Sequence, residues 1–327
     1  MKSSLPKVLV TRRIPEAGLA LIREKCDLEI YEEDRVIPRQ LLLEKIPPVQ
    51  GLLCLLSEKI DEELLHKAPH LKVVSNFAVG YDNIDIAAAT RRGVVVTNTP
   101  GVLTEATADM AWALLLAAAR RLGEGDHIMR HGQFEGWGPM FLLGQDIKGK
   151  TLGILGAGRI GSAVVERSAG WEMPILYYDH NRNDVLEAKF SARKVTLEKL
   201  ASSADFISIH LPASPDTHHL IDEKILKQMK KTAVLINTAR GAIIDEKALV
   251  QALREKWIAA AGLDVFEKEP QLAEGLDQLE NVVLAPHLGS ATIQARDGMA
   301  TLAATNLLAV LAGKRPAHVV NPDVLIR

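Results

Sequence analysis

The chain has little cysteine. Cys26 and Cys54 are its two, and no further cysteine or histidine stands at zinc-ligand spacing, so neither a disulfide framework nor a metal site is expected and a reducing cytoplasm is the natural setting. It also lacks an excess of charge of one sign. Lys plus Arg number 39 against 41 Asp plus Glu, a net charge of -2, with no long run of either, which gives no footing for nucleic acid or an anionic membrane as partner. Long apolar runs are missing too. The most hydrophobic segment, around Trp112 to Ala119, is interrupted by Asp109, Arg120 and Arg121, too short to span a bilayer. The start of the chain passes from Met1-Lys-Ser-Ser directly into Val8-Leu-Val and then Arg12 and Arg13, so no signal peptide is expected. Low-complexity tracts and long Ser/Gly linkers are absent as well.

What is present is enough apolar material for two cores: 327 residues, 47% of them hydrophobic, fit two domains of ordinary size. From Lys7 to Asn98 short β-rich runs (Val8-Leu-Val-Thr, Leu28-Glu-Ile-Tyr, Gly51-Leu-Leu-Cys-Leu-Leu, Leu71-Lys-Val-Val-Ser, Val94-Val-Val-Thr) alternate with amphipathic stretches. A second alternating series starts at Lys150 and includes Phe206-Ile-Ser-Ile-His-Leu, Ala233-Val-Leu-Ile-Asn-Thr, Ala259 to Val265 and Val282-Val-Leu-Ala. Such alternation predicts α/β architecture with two doubly wound parallel sheets. Between the series, Thr104 to Leu122 reads as a helix apolar on nearly every face, which requires burial all round, either at a dimer interface or in an intrachain core. The long Ala/Leu-rich helix from Thr292 to Ala312 has no strand after it and is expected to return the chain to the first domain. The expected division is residues 1–100 completed by 291–327, and 101–290.

One stretch points to a ligand. The strand-like Thr151-Leu-Gly-Ile-Leu runs into Gly156-Ala-Gly158-Arg159-Ile160-Gly161 and then a helix-like Ser-Ala-Val-Val-Glu-Arg, the context a G-x-G-x-x-G dinucleotide fingerprint requires. Gly156 allows the tight turn, Gly158 lets the backbone approach a pyrophosphate, and Gly161 lets helix and strand pack closely. The helix start supplies amides and a positive dipole end to the phosphates. After the next strand-like run, Pro174-Ile-Leu-Tyr-Tyr, stands Asp179, where an acid accepts hydrogen bonds from the adenosine ribose and repels the extra phosphate of NADP. NAD is therefore the expected cofactor, with NADP possible because His180 and Arg182 could attract that phosphate.

Nicotinamide chemistry moves a hydride, so a proton for the forming alkoxide and a cation for an anionic substrate are also needed. Asn237-Thr238-Ala239-Arg240-Gly241 follows a buried strand and places a guanidinium at the ligand-binding edge of the sheet. Pro286-His287-Leu288-Gly289-Ser290 also follows a strand, and Glu269 precedes Pro270, which biases it toward an extended loop. Arg240 could grip a carboxylate through two parallel hydrogen bonds. His287 could donate the proton, and Glu269 could hold its tautomer and stabilise the imidazolium. Each residue also has an ordinary structural alternative, and spacing alone does not choose between them.

Over essentially its whole length the chain resembles the D-isomer-specific 2-hydroxyacid dehydrogenases. In that family an arginine in N-x-[AS]-R-G, a glutamate before proline and a histidine in P-H-[IL]-G form the catalytic set, which the resemblance places at Arg240, Glu269 and His287. It implies a Rossmann NAD-binding domain, a flavodoxin-like substrate domain and a cleft between them. It further implies that the Val79 and Gly80 amides, within Asn76-Phe-Ala-Val-Gly-Tyr-Asp82, hold the substrate carboxylate, and that Asp264 contacts the nicotinamide carboxamide. Thr107, Thr238, Ala239 and Gly289 are implied along the cofactor, with His210, Leu211 and Pro212 beside the adenosine. Leu52-Leu-Cys-Leu55-Leu-Ser57 and Gly136-Trp137-Gly-Pro139-Met-Phe141-Leu-Leu-Gly144 are similar to stretches of the glyoxylate and hydroxypyruvate reductases. They imply Leu55 as a substrate contact, and Trp137 or Phe141 either as an aromatic reaching the neighbouring subunit's site or as dimer packing.

The implied activity is reduction of a small 2-oxo acid, glyoxylate or hydroxypyruvate, to the 2-hydroxy acid by a cytoplasmic homodimer. Many such reductases prefer NADPH and lack an acid at the position of Asp179, so the coenzyme stays open. Two alternatives stand beside this reading. One is a different 2-oxo acid such as 2-ketogluconate, pyruvate or phosphohydroxypyruvate, the last disfavoured because no regulatory extension follows residue 327. The other is a nucleotide-sensing corepressor-like binding protein, which can retain the same three residues.

Overall fold

The structure, a computed structural model, describes residues 5–326; the first four residues, on which the expectation of no signal peptide rests, lie outside them. The chain forms two compact units, Met1–Leu103 with Thr292–Arg327, and Thr104–Ala291. Among the described residues no helix is long and apolar enough to cross a membrane.

The first unit is built on β1 (Lys7–Val10), β2 (Asp27–Ile30), β3 (Gly51–Cys54), β4 (Val73–Asn76) and β5 (Val95–Thr97). All pair in parallel, in the order β2-β1-β3-β4-β5, the flavodoxin-like arrangement. Every residue of β3 and β4 is buried, which is why these strands read as continuous apolar runs rather than alternating ones. Strand β3 stops before Leu55 because the Leu55 amide leaves the ladder and donates to Glu58 Oε2 at 2.7 Å. The helix Ile293–Leu311 packs on the helix Glu16–Arg23 and on β4, so the C-terminal segment completes this unit. The contact is close: a Cβ on Gly18 would lie 2.5 Å from the Ala300 carbonyl oxygen.

The second unit carries β6 (Leu152–Leu155), β7 (Ile175–Tyr178), β8 (Arg193–Lys194), β9 (Phe206–Ile209), β10 (Val234–Asn237), β11 (Ala260–Leu263) and β12 (Val282–Leu284). Their order is β12-β11-β10-β9-β6-β7-β8, all parallel. The chain reverses its direction of sheet growth between β6 and β9, the switch point at which doubly wound sheets bind dinucleotides. Strand β8 is two exposed charged residues, an edge pairing with no hydrophobic pattern to announce it.

The apolar segment after residue 104 corrects one expectation. Its helix runs Thr104–Ala119 and ends short of Leu122; Arg121 takes a left-handed φ of 52° and a new helix, Leu122–Arg130, begins. The first helix packs on β10, β11 and the helix Arg159–Arg167, with Trp112 Nε1 donating to the Val164 carbonyl at 3.0 Å. Its buried residues, from Thr107 to Ala119, lie in an intrachain core, while Ala113 is exposed and Met110, Leu116 and Ala117 are partly so. Each fully buried Leu or Trp there contributes about 1.5–3 kcal/mol.

Candidate active site

Three glycines shape the turn after β6. Gly156 has φ +95°, and a Cβ on it would fall 2.7 Å from the backbone of His210; a Cβ on Gly161 would fall 2.0 Å from the Gly156 carbonyl oxygen. Gly158 faces open space within 4 Å. Turn and packing thus account for the first and third glycines, while the second leaves room for a ligand backbone. Gly158 is the N-cap of the helix Arg159–Arg167 and supplies no side-chain cap, so the first-turn amides at Arg159 and Ile160 are suited to an anion. Asp179 accepts from the Ala157 amide at 2.8 Å and the Asn181 amide at 3.1 Å. The acid that follows β7 therefore also braces the glycine turn.

The buried polar atoms of this unit that lack a partner among the described residues include Thr238 Oγ1 and His210 Nδ1. His210 Nε2 lies 2.8 Å from Ser208 Oγ, and burial pushes its imidazole down to about 3, so the ring is neutral. Leu211 is buried, and the Pro212 carbonyl accepts from Thr217 Oγ1 at 2.8 Å. The open Gly158 turn, the uncapped helix start and these unpartnered atoms fit a dinucleotide.

Beyond β10, Asn237 folds the next residues into a turn: its Nδ2 donates to the Arg240 carbonyl at 2.8 Å and its Oδ1 accepts from the Ala239 amide at 3.0 Å. The Arg240 side chain is partly buried and also donates to the Ala239 carbonyl at 2.8 Å. A Cβ on Gly241 would sit 1.9 Å from Phe266 C, so this turn presses against the loop that leads to Glu269. Glu269 Oε1 accepts from the Phe266 amide at 3.1 Å, and Oε2 lies 2.9 Å from His287 Nδ1. Burial pushes the Glu269 carboxyl up, but the His287 hydrogen bond and charge, the Phe266 amide and the Arg240 charge together bring it below its ordinary value. Arg240, Glu269 and His287 thus act on one another. With Nδ1 on the carboxylate, His287 Nε2 is the nitrogen left for a substrate oxygen.

His287 sits at φ 55°, a region a β-carbon rarely adopts, held only where surroundings dictate it. Asp264 dictates it here. Its carbonyl accepts from the His287 amide at 2.9 Å, and its carboxylate oxygens accept from the Leu288 amide at 2.6 Å and the Gly289 amide at 2.7 Å. The residue is fully buried, and burial raises its carboxyl against the pull of those two amides. Both carboxylate oxygens are thus turned onto the histidine loop, which gives Asp264 a positioning role there. Thr107 is buried against Gly289, its Cγ2 3.4 Å from where a Cβ would stand.

In the first unit, Asn98 Nδ2 donates to the Val79 carbonyl at 2.7 Å and Asn76 Nδ2 to the Gly80 carbonyl at 2.8 Å, which fixes the peptide planes of the loop. Leu55 is half-buried beside the end of β3. Trp137 is 85% exposed, in an irregular segment where the Phe134 and Phe141 rings meet at a 46° tilt with centroids 5.9 Å apart. Sequence reasoning missed the asparagines that pin these loops and the cluster His218, His219 and Glu267, whose ligand-type atoms lie within 4.8 Å of one another. In it His219 Nε2, 3.2 Å from Glu267 Oε1, ties a second loop to the segment carrying Glu269.

Residues 112–289 match the family model described as "D-isomer specific 2-hydroxyacid dehydrogenase, NAD binding domain". A glyoxylate reductase of Thermococcus litoralis is 52% identical over 324 residues, covering 98% of each chain. The chain belongs to this family. As a D-2-hydroxyacid dehydrogenase, it is an NAD(P)-dependent oxidoreductase of the glyoxylate/hydroxypyruvate reductase type. Among solved structures it is similar to a Thermus thermophilus protein at 43% identity and a TM-score of 0.90, covering 96% of this chain and 99% of that one. An NADPH-dependent glyoxylate/hydroxypyruvate reductase from Sinorhizobium meliloti, in complex with NADP and malonate, is 33% identical with a TM-score of 0.85 and 97% of both chains covered.

Proposed function

We propose that this dehydrogenase reduces glyoxylate or hydroxypyruvate to glycolate or D-glycerate, with NADH as the preferred reductant, as a homodimer in a reducing cytoplasm. The observation that carries the chemistry is the His287–Glu269 pair at 2.9 Å with the Arg240 charge acting on the same carboxylate. The reduced coenzyme, when bound, supplies the hydride for C2. His287 protonates the oxygen from Nε2 while Glu269 balances the imidazolium charge. Arg240 holds the substrate carboxylate; Leu55 and the amides of Val79 and Gly80 are the first unit's assigned substrate contacts. The coenzyme is assigned to the Gly156–Gly161 turn, Thr107, Asp179, the His210–Pro212 strand end, Thr238, Ala239 and Gly289.

Asp179 supports NADH, because a carboxylate at the ribose repels a 2′-phosphate. The homodimer is supported by exposed apolar side chains concentrated in one segment of the chain, Leu122, Met129, Phe134, Trp137, Met140, Phe141 and Leu143, the kind of exposure that marks interaction surfaces. Both cysteines are free and buried, which suits a reducing compartment. The test is initial-rate kinetics with glyoxylate, hydroxypyruvate, pyruvate and 2-ketogluconate, each with NADH and NADPH. The highest kcat/KM is expected for glyoxylate or hydroxypyruvate with NADH. No turnover of any of the four by protein that binds NADH would overturn the reading.

A further inference from the structure

The loop that follows β7 carries a cation as well as an acid. A free guanidinium at Arg182 would suit a ribose phosphate, to which arginine donates two hydrogen bonds at once. In the structure that guanidinium is engaged elsewhere. Arg182 Nε donates to Glu187 Oε1 at 3.3 Å, and Arg182 NH2 makes a short hydrogen bond to Glu187 Oε2. Asp184 adds a weaker contact at 3.9 Å.

Glu187 is itself held from the core. The hydroxyl of Tyr177, a fully buried residue of β7, donates to Glu187 Oε1 at 2.5 Å and accepts from the Asn183 amide at 3.0 Å. Arg182 and Tyr177 together lower the Glu187 carboxyl below its ordinary value, so it stays ionised. The rest of the loop is tied to the glycine turn: Asn183 Nδ2 donates to the Ala157 carbonyl at 2.8 Å, and Asp179 accepts from the Ala157 amide. An exposed ion pair alone is a weak constraint. This one uses two guanidinium nitrogens on a carboxylate that a buried phenol fixes in place; the Glu187 side chain is 20% exposed and the Arg182 side chain 68%.

We propose that Glu187 is a specificity-determining residue for the coenzyme: by committing Arg182 to itself it withholds that guanidinium from a ribose 2′-phosphate and reinforces Asp179 in favouring NAD(H) over NADP(H). This rests on the reading of the glycine turn and Asp179 as the adenosine-ribose site. Glu187 acts through Arg182 and need not touch the coenzyme.

The test is calorimetric titration of the full-length protein with NAD+, NADP+ and adenosine 2′,5′-bisphosphate, for the unaltered chain, Glu187→Gln, and Glu187→Gln combined with Arg182→Gln. The glutamine keeps a carbonyl oxygen for the Tyr177 hydroxyl, so the fold is retained, and unchanged NAD+ affinity reports that it is. The expected result is NADP+ and bisphosphate binding tightened about tenfold in Glu187→Gln, the effect of a single added hydrogen bond between guanidinium and phosphate, with the tightening lost in the double variant. An unchanged NADP+/NAD+ affinity ratio, or a tightening that survives removal of Arg182, overturns the role of Glu187 while leaving the dinucleotide site standing. Failure of the unaltered protein to bind either coenzyme overturns the site reading and this proposal with it.

Discussion

His287 Nδ1 lies 2.9 Å from Glu269 Oε2, and the two side chains reach one another only because separate loops, one after β11 and one after β12, are folded onto the same edge of the second sheet. Replacing His287 with Asn should lower turnover by roughly 10²–10⁴ as the proton donor is lost. NADH affinity, measured by fluorescence titration, should stay near that of the unaltered protein. Equal loss of binding and turnover would mark the histidine as structural instead.

Glu269→Gln should reduce turnover while sparing coenzyme binding, and it carries a pH signature. The folded-state carboxyl of Glu269 lies below its ordinary value of 4.5. Its contribution to stability is therefore fully present above that value and is lost as the pH falls through the lowered one. Thermal unfolding measured between neutral pH and acid should show a shallower acid loss of Tm in Glu269→Gln than in the parent. Parallel curves would mean that the pair does not couple to folding.

Arg240→Lys keeps the charge and removes the planar fork. A lysine cannot reproduce two parallel hydrogen bonds to a carboxylate, so KM for the 2-oxo acid should rise and kcat should fall, with kcat/KM down roughly tenfold to a hundredfold. Steady-state kinetics with glyoxylate check this. Near-normal values would remove Arg240 from the site.

The glycines of the first turn are separable. Gly161→Ala forces a Cβ to within 2.0 Å of the Gly156 carbonyl oxygen and should destabilise the fold by about 3 kcal/mol or more. Gly158→Ala meets nothing within 4 Å, so its stability should change by about 0.5 kcal/mol at most. Its coenzyme affinity should fall about tenfold as the methyl takes pyrophosphate space. Denaturant unfolding and NAD+ titration on the same two proteins distinguish the outcomes; a stable Gly161→Ala would contradict the packing argument.

Asp264→Asn replaces one of two acceptors with a donor facing a loop amide. Leaving that amide unpaired should cost about 1–3 kcal/mol and loosen the strained His287, lowering kcat more than NADH affinity. A variant with full activity and unchanged Tm would show that the loop holds its shape without the carboxylate.

The sequence by itself determined what is local. Strands β3, β4, β6 and β9 are runs of buried residues that only a sheet covered on both faces explains, and the glycine fingerprint carries its own geometry within a few residues of chain. Arg240, Glu269 and His287 were singled out together through family resemblance, since nothing in their spacing brings them to one place. Tertiary structure decided the rest. It buried the Thr104–Ala119 helix within its own unit, added the two-residue β8 that no hydrophobic pattern marks, and turned Asp264 onto the histidine loop. Each of these depends on contacts between residues distant in the chain, where burial and the need to satisfy buried polar groups choose the partner, and a local pattern holds no record of that choice.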